Sequence, residues 1–229
     1  FLPKILGKPV SNYYLASLGF WWLAVTSAFA GGSRLIGAPV PVWIPTLGIV
    51  ANMLVVVGVV VVALNLFGTL SGRYAAARAS LTLRFILVSL VGFALAAVMN
   101  LALSMRSFAA IVQFTLLDGL RDWLTFYACF STAMFGAVYF MLPRLTGREW
   151  RFTGLIKLHF GTTVLGVVLM TVGLAAAGWT QGQLLNDAAV PFADITKALS
   201  FWFAFRTVAL AVLLLGHLAF LINFVGMAC

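Results

Sequence analysis

The two histidines are the residues of this chain best suited to hold a metal ion or a heme. His159 lies near the start of one long apolar segment, and His217 lies in the middle of another. A neutral imidazole coordinates iron or copper, and an ionisable residue inside a membrane span is a functional candidate. Polar packing against a neighbouring helix is the interpretation that we favour for both. Metal binding by His159, and axial ligation of a heme or chlorophyll by His217, are the alternatives.

The densest charged cluster consists of Arg121 and Asp122, with Asp118 one turn earlier, at the predicted start of a helix. Carboxylates are stabilised near a helix N-terminus, and the three side chains can pair with one another. A paired or solvated helix start is therefore favoured. No catalytic triad, phosphate-binding loop, paired carboxylates or zinc-ligand spacing occurs in the sequence. Cys129 and Cys229 form no ligand cluster.

The composition predicts an integral membrane protein. Of the 229 residues, 63% are hydrophobic and 8% are charged, and the mean hydropathy is +1.11. A soluble domain is roughly half apolar and a quarter charged. The formal net charge of +9 arises from residues between apolar segments. It therefore predicts contact with lipid headgroups and a membrane topology, with no nucleic-acid partner.

The apolar segments predict an all-α bundle of six transmembrane helices forming a single domain over residues 1–229. They are too long for soluble helices and lack the alternation of barrel strands. Glycines and prolines separate them. The predicted spans are residues 13–31, 42–69, 83–105, 120–143, 158–179 and 200–227.

The lysines and arginines predict that both termini lie in the cytoplasm. Positive residues are in excess in cytoplasmic loops. One side of the membrane receives Lys4, Lys8, Arg73, Arg78, Arg84, Arg144, Arg148, Arg151 and Lys157. The other receives Arg34, Arg106, Arg121, Lys197 and Arg206, together with four aspartates. The chain begins at Phe1 without an initiator methionine or a signal-peptide pattern, and we expect a processed or partial chain.

Short strings in the same order along the chain resemble the last six helices of the heme-copper oxidase catalytic subunit, subunit I. The resemblance is greatest to its C-family branch, which includes the cbb-type oxidases and is related to the nitric oxide reductases. The most specific string is Leu142-Pro143-Arg144-Leu145 with Gly147-Arg148. The others include Pro41 and Trp43, Thr46-Leu47-Gly48, Thr69-Leu70-Ser71-Gly72, Leu83-Arg84-Phe85, Val112-Gln113-Phe114-Thr115, His159-Phe160 and Asn223-Phe224.

The resemblance implies that the metal ligands of the family are missing from this half. An adjacent histidine pair that binds copper in the family is matched here by Ser33 and Arg34. A guanidinium group is always protonated and has no lone pair for a metal. A tyrosine joined to another copper-ligand histidine is matched by Ser27. A His-x-His pair that binds two hemes is matched by Arg121 and Trp123.

These replacements lead to three hypotheses about function. The preferred one is a non-catalytic membrane subunit that scaffolds or stabilises a larger electron-transport complex in a bacterial inner membrane. It predicts no catalytic residue, metal or cofactor on this chain, and leaves room for a heme or other cofactor in partner chains. The second is part of an active oxidase or nitric oxide reductase whose cofactors lie in a missing upstream half. The third is a module that binds quinone, lipid or pigment in the emptied cofactor volume. For the charged cluster, the alternative to a paired or solvated helix start is that Arg34 and Arg121 fill space vacated by cofactors, with carboxylates or lipid phosphates as partners.

Overall fold

The chain folds as an all-α bundle. The computed structural model describes residues 2–228, in which every regular element is helical and six segments are long and apolar enough to cross a membrane. The prediction of a six-helix membrane bundle is confirmed. The side chains of residues 76–78 and 228 are outside the described part. The predictions above use the positive charge of Arg78 and the thiol of Cys229. Both groups therefore lie outside the described residues.

The spanning segments alternate with short helices at their ends. The short helices are α1 (Leu2–Leu6), α4 (Tyr74–Ala79) and α6 (Arg106–Val112). The spanning segments are α2 (Tyr13–Ala30) followed by a 3₁₀ turn (Gly31–Leu35), α3 (Trp43–Leu70), α5 (Leu81–Ser104), α7 (Leu116–Trp123) continued by a π-helical segment (Leu124–Ser131) and α8 (Thr132–Thr146), α9 (Thr153–Leu185), and α10 (Phe192–Ala228).

Several helices extend beyond the apolar runs that predicted them. The fifth span was expected at residues 158–179, whereas α9 runs from Thr153 to Leu185, and α10 begins at Phe192 rather than at residue 200. Hydropathy marks only the part of a helix that lies in the hydrocarbon. Once formed, a helix gains one hydrogen bond for each added residue, so it continues into its polar flanks.

The fourth span also begins earlier than predicted, at Leu116 instead of residue 120. The Thr115 hydroxyl caps this helix by accepting a hydrogen bond from the Leu117 amide at 3.3 Å. Asp118 therefore lies in the first turn of α7. The predicted cluster is not split across the helix start, because Asp118, Arg121 and Asp122 all belong to one helix.

Neighbouring spans pack in chain order. Helix α2 packs on α3, α3 on α5, α5 on the π-helical segment and α8, and α9 on both α7 and α10. The largest buried apolar cluster lies where α5, α7, α9 and α10 meet. Small residues allow these close approaches, as in many membrane helix pairs. An added Cβ at Gly92 of α5, for example, would lie 2.6 Å from the Ala128 carbonyl oxygen.

Two asparagines fasten the ends of helix pairs. The Asn65 side chain exchanges two hydrogen bonds with the Asn12 backbone, at 3.2 and 2.8 Å, and joins the end of α3 to the start of α2. The buried Asn223 side chain exchanges two hydrogen bonds with the Phe152 backbone, both at 3.1 Å, and joins α10 to the start of α9. Each amide satisfies backbone groups that a helix terminus leaves free, so these contacts fix which helix ends lie together.

Candidate functional site

The 3₁₀ turn after α2 carries Ser33 and Arg34, the two positions that the resemblance assigns to copper. The turn lies directly on α3, where a Cβ at Gly48 would overlap the Ser33 backbone nitrogen. Asn52, one turn farther along α3, donates through its Nδ2 to the Ser33 hydroxyl at 3.0 Å and to the Ala30 carbonyl at 3.0 Å. Ser33 is thereby held in the interior, whereas Arg34 extends away from α3.

Arg34 reaches across the bundle to α7. Its Nη2 lies 2.7 Å from Asp122 Oδ1, and this contact joins residues 88 positions apart in the chain. Arg121 makes a second ion pair through its own Nη2, which lies 2.8 Å from Asp118 Oδ1. The Arg121 Nε lies 3.9 Å from Asp122 Oδ1 and links the two pairs. Two guanidinium groups and two carboxylates thus form one network of zero formal charge.

The two ion pairs differ in burial, and this difference decides how much each pair contributes to the stability of the fold. The side chains of Arg34 and Asp122 are 52% and 45% exposed, so water and salt screen their attraction. The Arg121 side chain is only 9% exposed. A buried guanidinium without a partner carries a large desolvation cost, so Asp118 is the partner that Arg121 needs.

The loop between α6 and α7 closes one side of this network. Gln113 donates through Nε2 to the Ile36 carbonyl at 2.8 Å, which ties the loop to the residue after the 3₁₀ turn. The Phe114 amide donates to Asp118 Oδ2 at 2.8 Å. Phe114 has a φ of +64°, a left-handed conformation that is rare for a bulky residue. Asp118 therefore serves both Arg121 and this strained backbone.

Trp123, the second position assigned to heme ligation, points into an aromatic group rather than into the ion network. Its ring stacks on Tyr127 with a centroid distance of 4.4 Å and an interplanar angle of 8°. The Trp123 indole nitrogen is buried and has no hydrogen-bond partner among the described residues. This position is followed at once by the π-helical segment, which rotates later side chains relative to a regular α-helix.

The two histidines, which the sequence places on different helices, lie next to each other. Their ring centroids are 5.7 Å apart. The Tyr127 hydroxyl and His217 Nε2 are hydrogen-bonded at 3.0 Å, and the Tyr139 hydroxyl and His159 Nδ1 at 2.9 Å. Phe135 packs against both rings, with centroid distances of 4.6 Å to His159 and 5.4 Å to His217. Each histidine thus has a tyrosine partner on the fourth span.

Two cavities meet at the 3₁₀ turn. The smaller, of about 170 Å³, is bounded by Arg34, Gln113, Asp118 and Arg121 and by apolar residues of α5 and α6. The larger, of about 270 Å³, is bounded by α2, α3, α5 and the π-helical segment, and its polar lining consists of Ser27, Ser33, Arg34, Asn52, Asn100, Asp122, Thr125 and Cys129. Both contain the Arg34 side chain, so this arginine separates one volume from the other.

These residues do not fit the copper and heme sites of the resembled family. Arg34 and Arg121 offer only donors and are engaged with carboxylates, and an indole nitrogen carries no free lone pair. Among the described residues, no three of histidine, cysteine, aspartate and glutamate lie close enough to share a metal ion. His159 and His217 border neither of the two cavities. The chemistry available here is charge pairing and hydrogen bonding.

The predicted residues therefore fall into two groups. Ser33, Arg34 and Arg121 meet in one polar site at the end of the bundle. Trp123, His159 and His217 belong to the aromatic interior. Sequence analysis did not identify Asn52, which holds Ser33 in place. Its signal is an amide side chain in the interior of a long apolar span, a type of residue that needs a partner in lipid.

The chain is similar in sequence to a known protein family and to several characterised members of it. The family model described as Cytochrome C and Quinol oxidase polypeptide I matches residues 1–212. The cbb3-type cytochrome c oxidase subunit CcoN1 of Stutzerimonas stutzeri is 26% identical over 97% of this chain. The cytochrome c oxidase subunit 1 of Rhodobacter capsulatus is 27% identical over 97% of it, and the subunit 1 homolog of Agrobacterium tumefaciens 25% identical over 97%.

The matched region is only part of each relative. The chain spans 48% of the length of the Stutzerimonas stutzeri protein and 43% of each of the other two. The match nevertheless covers most of this chain, and the six spanning helices agree with a membrane-embedded region of such a subunit. The chain belongs to the cytochrome c and quinol oxidase polypeptide I family.

Proposed function

We propose that this chain is a non-catalytic membrane subunit that stabilises a larger electron-transport complex in a bacterial inner membrane. The observation that carries the proposal is the Arg34–Asp122 ion pair, at 2.7 Å, beside the Arg121–Asp118 pair. Two of the positions assigned to metal ligands by resemblance, Arg34 and Arg121, instead hold guanidinium groups paired with carboxylates of α7. A site that has exchanged coordination chemistry for internal pairing supports a structural role.

The arrangement of charges explains how such a subunit keeps the family's fold without a metal. By resemblance the turn after α2 carries copper ligands and α7 carries heme ligands, so a metal site would lie at each end of the link between these two elements. Here the Arg34–Asp122 contact makes that link, and Gln113 adds a hydrogen bond to the Ile36 carbonyl. Asn52 anchors the turn from the other side. The Arg34–Asp122 ion pair thus holds the turn after α2 against α7 where the family would have metal sites.

The open faces of the outer helices support a role in assembly. Helix α2 packs mainly on α3 and exposes large apolar and aromatic side chains along its length, among them Tyr14, Phe20 and Trp21. Such a face is satisfied by lipid or by another membrane helix. The relatives of this chain are about twice as long, and their names describe oxidase subunits. Another membrane subunit against α2 is the partner that the proposal requires.

The proposal is tested by purifying the intact complex through a tag on this chain. Mass spectrometry then gives its subunits, and optical spectra with metal analysis give its cofactors. We expect co-purifying membrane subunits, and no heme or copper that remains with this chain when it is separated from them. Stoichiometric heme or copper retained by the isolated chain would refute a non-catalytic role. A chain that purifies alone would refute the role in assembly.

The larger cavity supports a second candidate function, a module that binds a small amphipathic molecule such as a quinone. The cavity of about 270 Å³ combines polar groups from Asn52, Asn100 and Asp122 with the apolar Phe93 and Phe126. Ligand sites commonly combine an apolar wall with a few polar groups. Organic extraction followed by mass spectrometry tests this function: a quinone or pigment in a fixed ratio to the chain supports it, whereas bulk phospholipid alone contradicts it.

A further inference from the structure

A series of aromatic rings runs through the bundle from the ion network to the opposite end. Its members, in spatial order, are Trp123, Tyr127, His217, His159, Tyr139 and Trp150. Successive ring centroids lie 4.4, 5.8, 5.7, 5.8 and 4.9 Å apart. Trp123 adjoins Arg121 and Asp122 in α7, whereas Trp150 follows α8. The rings come from the fourth, fifth and sixth spans and the loop after α8, so only the folded bundle forms the series.

The series has two oxidisable rings at each end, and the two histidines, which can accept a proton, lie side by side in the middle. Tyr127 is hydrogen-bonded to His217 at 3.0 Å, and Tyr139 to His159 at 2.9 Å. A neutral imidazole has one nitrogen that accepts a hydrogen bond. With the tautomers in which His217 Nε2 and His159 Nδ1 are the acceptors, each phenol donates to a base within hydrogen-bond distance.

We propose that this series carries single electrons through the bundle, with Tyr127 and Tyr139 as relay sites and the two histidines as their proton acceptors. The inference does not depend on the role in assembly. It needs a strong one-electron oxidant at the Trp123 end, such as an oxidised metal complex, and a one-electron reductant of the ascorbate class at the Trp150 end. The electron moves from the Trp150 end to the Trp123 end.

The steps balance in electrons and protons. The oxidant takes one electron from Tyr127 through the stacked Trp123 ring, and the Tyr127 O–H proton moves to His217. The Tyr127 radical then takes an electron from Tyr139, whose proton moves to His159, and His217 returns its proton to Tyr127. The reductant restores Tyr139 through Trp150, and His159 returns its proton. One electron crosses the series, and no proton leaves it.

The paired bases are what make oxidation of these phenols feasible inside the bundle. A tyrosine radical cation would be an unpaired charge in an apolar interior, and its desolvation cost is large. Proton transfer along an existing hydrogen bond leaves a neutral radical beside an imidazolium and needs little movement. His159 is fully buried and Tyr139 nearly so, which excludes water as the alternative proton acceptor. Phe135 lies against both histidines and fills the space between the two halves of the series.

The experiment uses the full chain in lipid nanodiscs with its background oxidation sites reduced. The sequence contains five tyrosines, so Tyr13→Phe, Tyr14→Phe and Tyr74→Phe leave only the two relay residues. A ruthenium photo-oxidant is attached at Phe126→Cys, a 66% exposed position near Trp123, after Cys129→Ser and Cys229→Ser. Flash oxidation with a soluble quencher, followed by rapid freezing, traps radicals for electron paramagnetic resonance.

We expect a tyrosyl signal at Tyr139 that appears after the one at Tyr127. Substitution Tyr127→Phe should lower the Tyr139 radical yield at least tenfold, and labelling the histidines with ¹⁵N should change the nitrogen coupling of both signals. The control places the photo-oxidant at the other end, at the half-exposed Phe152→Cys. From there Tyr139 should still be oxidised in the Tyr127→Phe variant, which shows that this variant remains folded and that Tyr139 is competent.

Two results would overturn the proposal. The first is that neither Tyr127 nor Tyr139 forms a radical although the photo-oxidant turns over. The second is a Tyr139 radical whose yield from the Phe126→Cys label does not change in Tyr127→Phe. Either result would leave the aromatic series as packing alone.

Discussion

Arg34 and Asp122 join the turn after α2 to the fourth span through a contact of 2.7 Å between Arg34 Nη2 and Asp122 Oδ1. The two residues lie 88 positions apart in the chain, and each comes from a region that the resemblance to the oxidase family assigns to metal binding. The contact therefore holds the turn after α2 against the fourth span through a pair of opposite charges.

The first prediction concerns the strength of this ion pair. The experiment is a double-mutant cycle with Arg34→Ala, Asp122→Ala and the double substitution. We expect a coupling free energy of about 0.5–1 kcal/mol, because both side chains are about half exposed. Titration of the detergent-solubilised chain with sodium dodecyl sulfate measures the free energy of unfolding. The Lys197–Asp194 pair is the matched control, since its lysine is 79% exposed and should couple more weakly. Equal coupling in both cycles would contradict the prediction.

Arg121→Ala should destabilise the chain more than removal of any exposed arginine. Its guanidinium is almost fully buried against Asp118, and charged hydrogen bonds of this kind contribute about 2 kcal/mol. Arg106→Ala is the control, because Arg106 is exposed and donates to the Thr46 hydroxyl. Its loss should cost about 0.5 kcal/mol. The same unfolding titration measures the loss of stability in both variants. A smaller loss for Arg121→Ala than for Arg106→Ala would disprove the assignment of a buried ion pair.

Gly48 should be intolerant of alanine because the 3₁₀ turn lies against its Cα. A Cβ there would overlap the backbone of Ser33, which cannot move as freely as a side chain. We expect Gly48→Ala to cost about 2 kcal/mol and to weaken the Arg34–Asp122 coupling. Gly161→Ala in α9 is the control, because no atom outside its helix lies within 4 Å of the new methyl group. The control should be neutral or stabilising by up to about 1 kcal/mol.

Tyr139→Phe should destabilise the chain by about 1–3 kcal/mol, since it removes the hydrogen-bond partner of His159 Nδ1. Within the part of the chain that the structure describes, the Nε2 of the same ring is already buried without a partner. The variant would thus leave both nitrogens unsatisfied. Tyr74→Phe serves as the control because Tyr74 is exposed. Thermal unfolding followed by circular dichroism compares the two, and a neutral Tyr139→Phe would show that His159 finds another partner.

The predicted topology can be tested by labelling single cysteines in cells. In a background with Cys129→Ser and Cys229→Ser, Lys8→Cys should be protected from a membrane-impermeant thiol reagent applied outside the inner membrane. Phe114→Cys should react, because Phe114 is 84% exposed and lies with the residues assigned to the non-cytoplasmic side. The positive-inside bias is the reason for this expectation. Labelling of Lys8→Cys together with protection of Phe114→Cys would show that the termini lie on the non-cytoplasmic side.

The sequence alone determined the six spans and the number of histidines available as metal ligands. Long apolar runs must become helices in lipid, because no other open structure satisfies the backbone there. The number of histidines is also a property of the sequence, and two of them cannot supply the ligand set of an oxidase half wherever they lie. The order of short strings was sufficient to indicate the family that the comparisons then confirmed.

Only the tertiary structure decided which polar residues meet. The sequence grouped Asp122 with Arg121, its neighbour, whereas its closest contact is with Arg34, on the turn after the first span. It also left His159 and His217 as separate residues, although packing of α9 on α10 brings their rings to 5.7 Å. Local patterns report helix formation, which depends on neighbours in the chain. The pairing of side chains depends on which helix faces meet, and that follows from packing over the whole bundle.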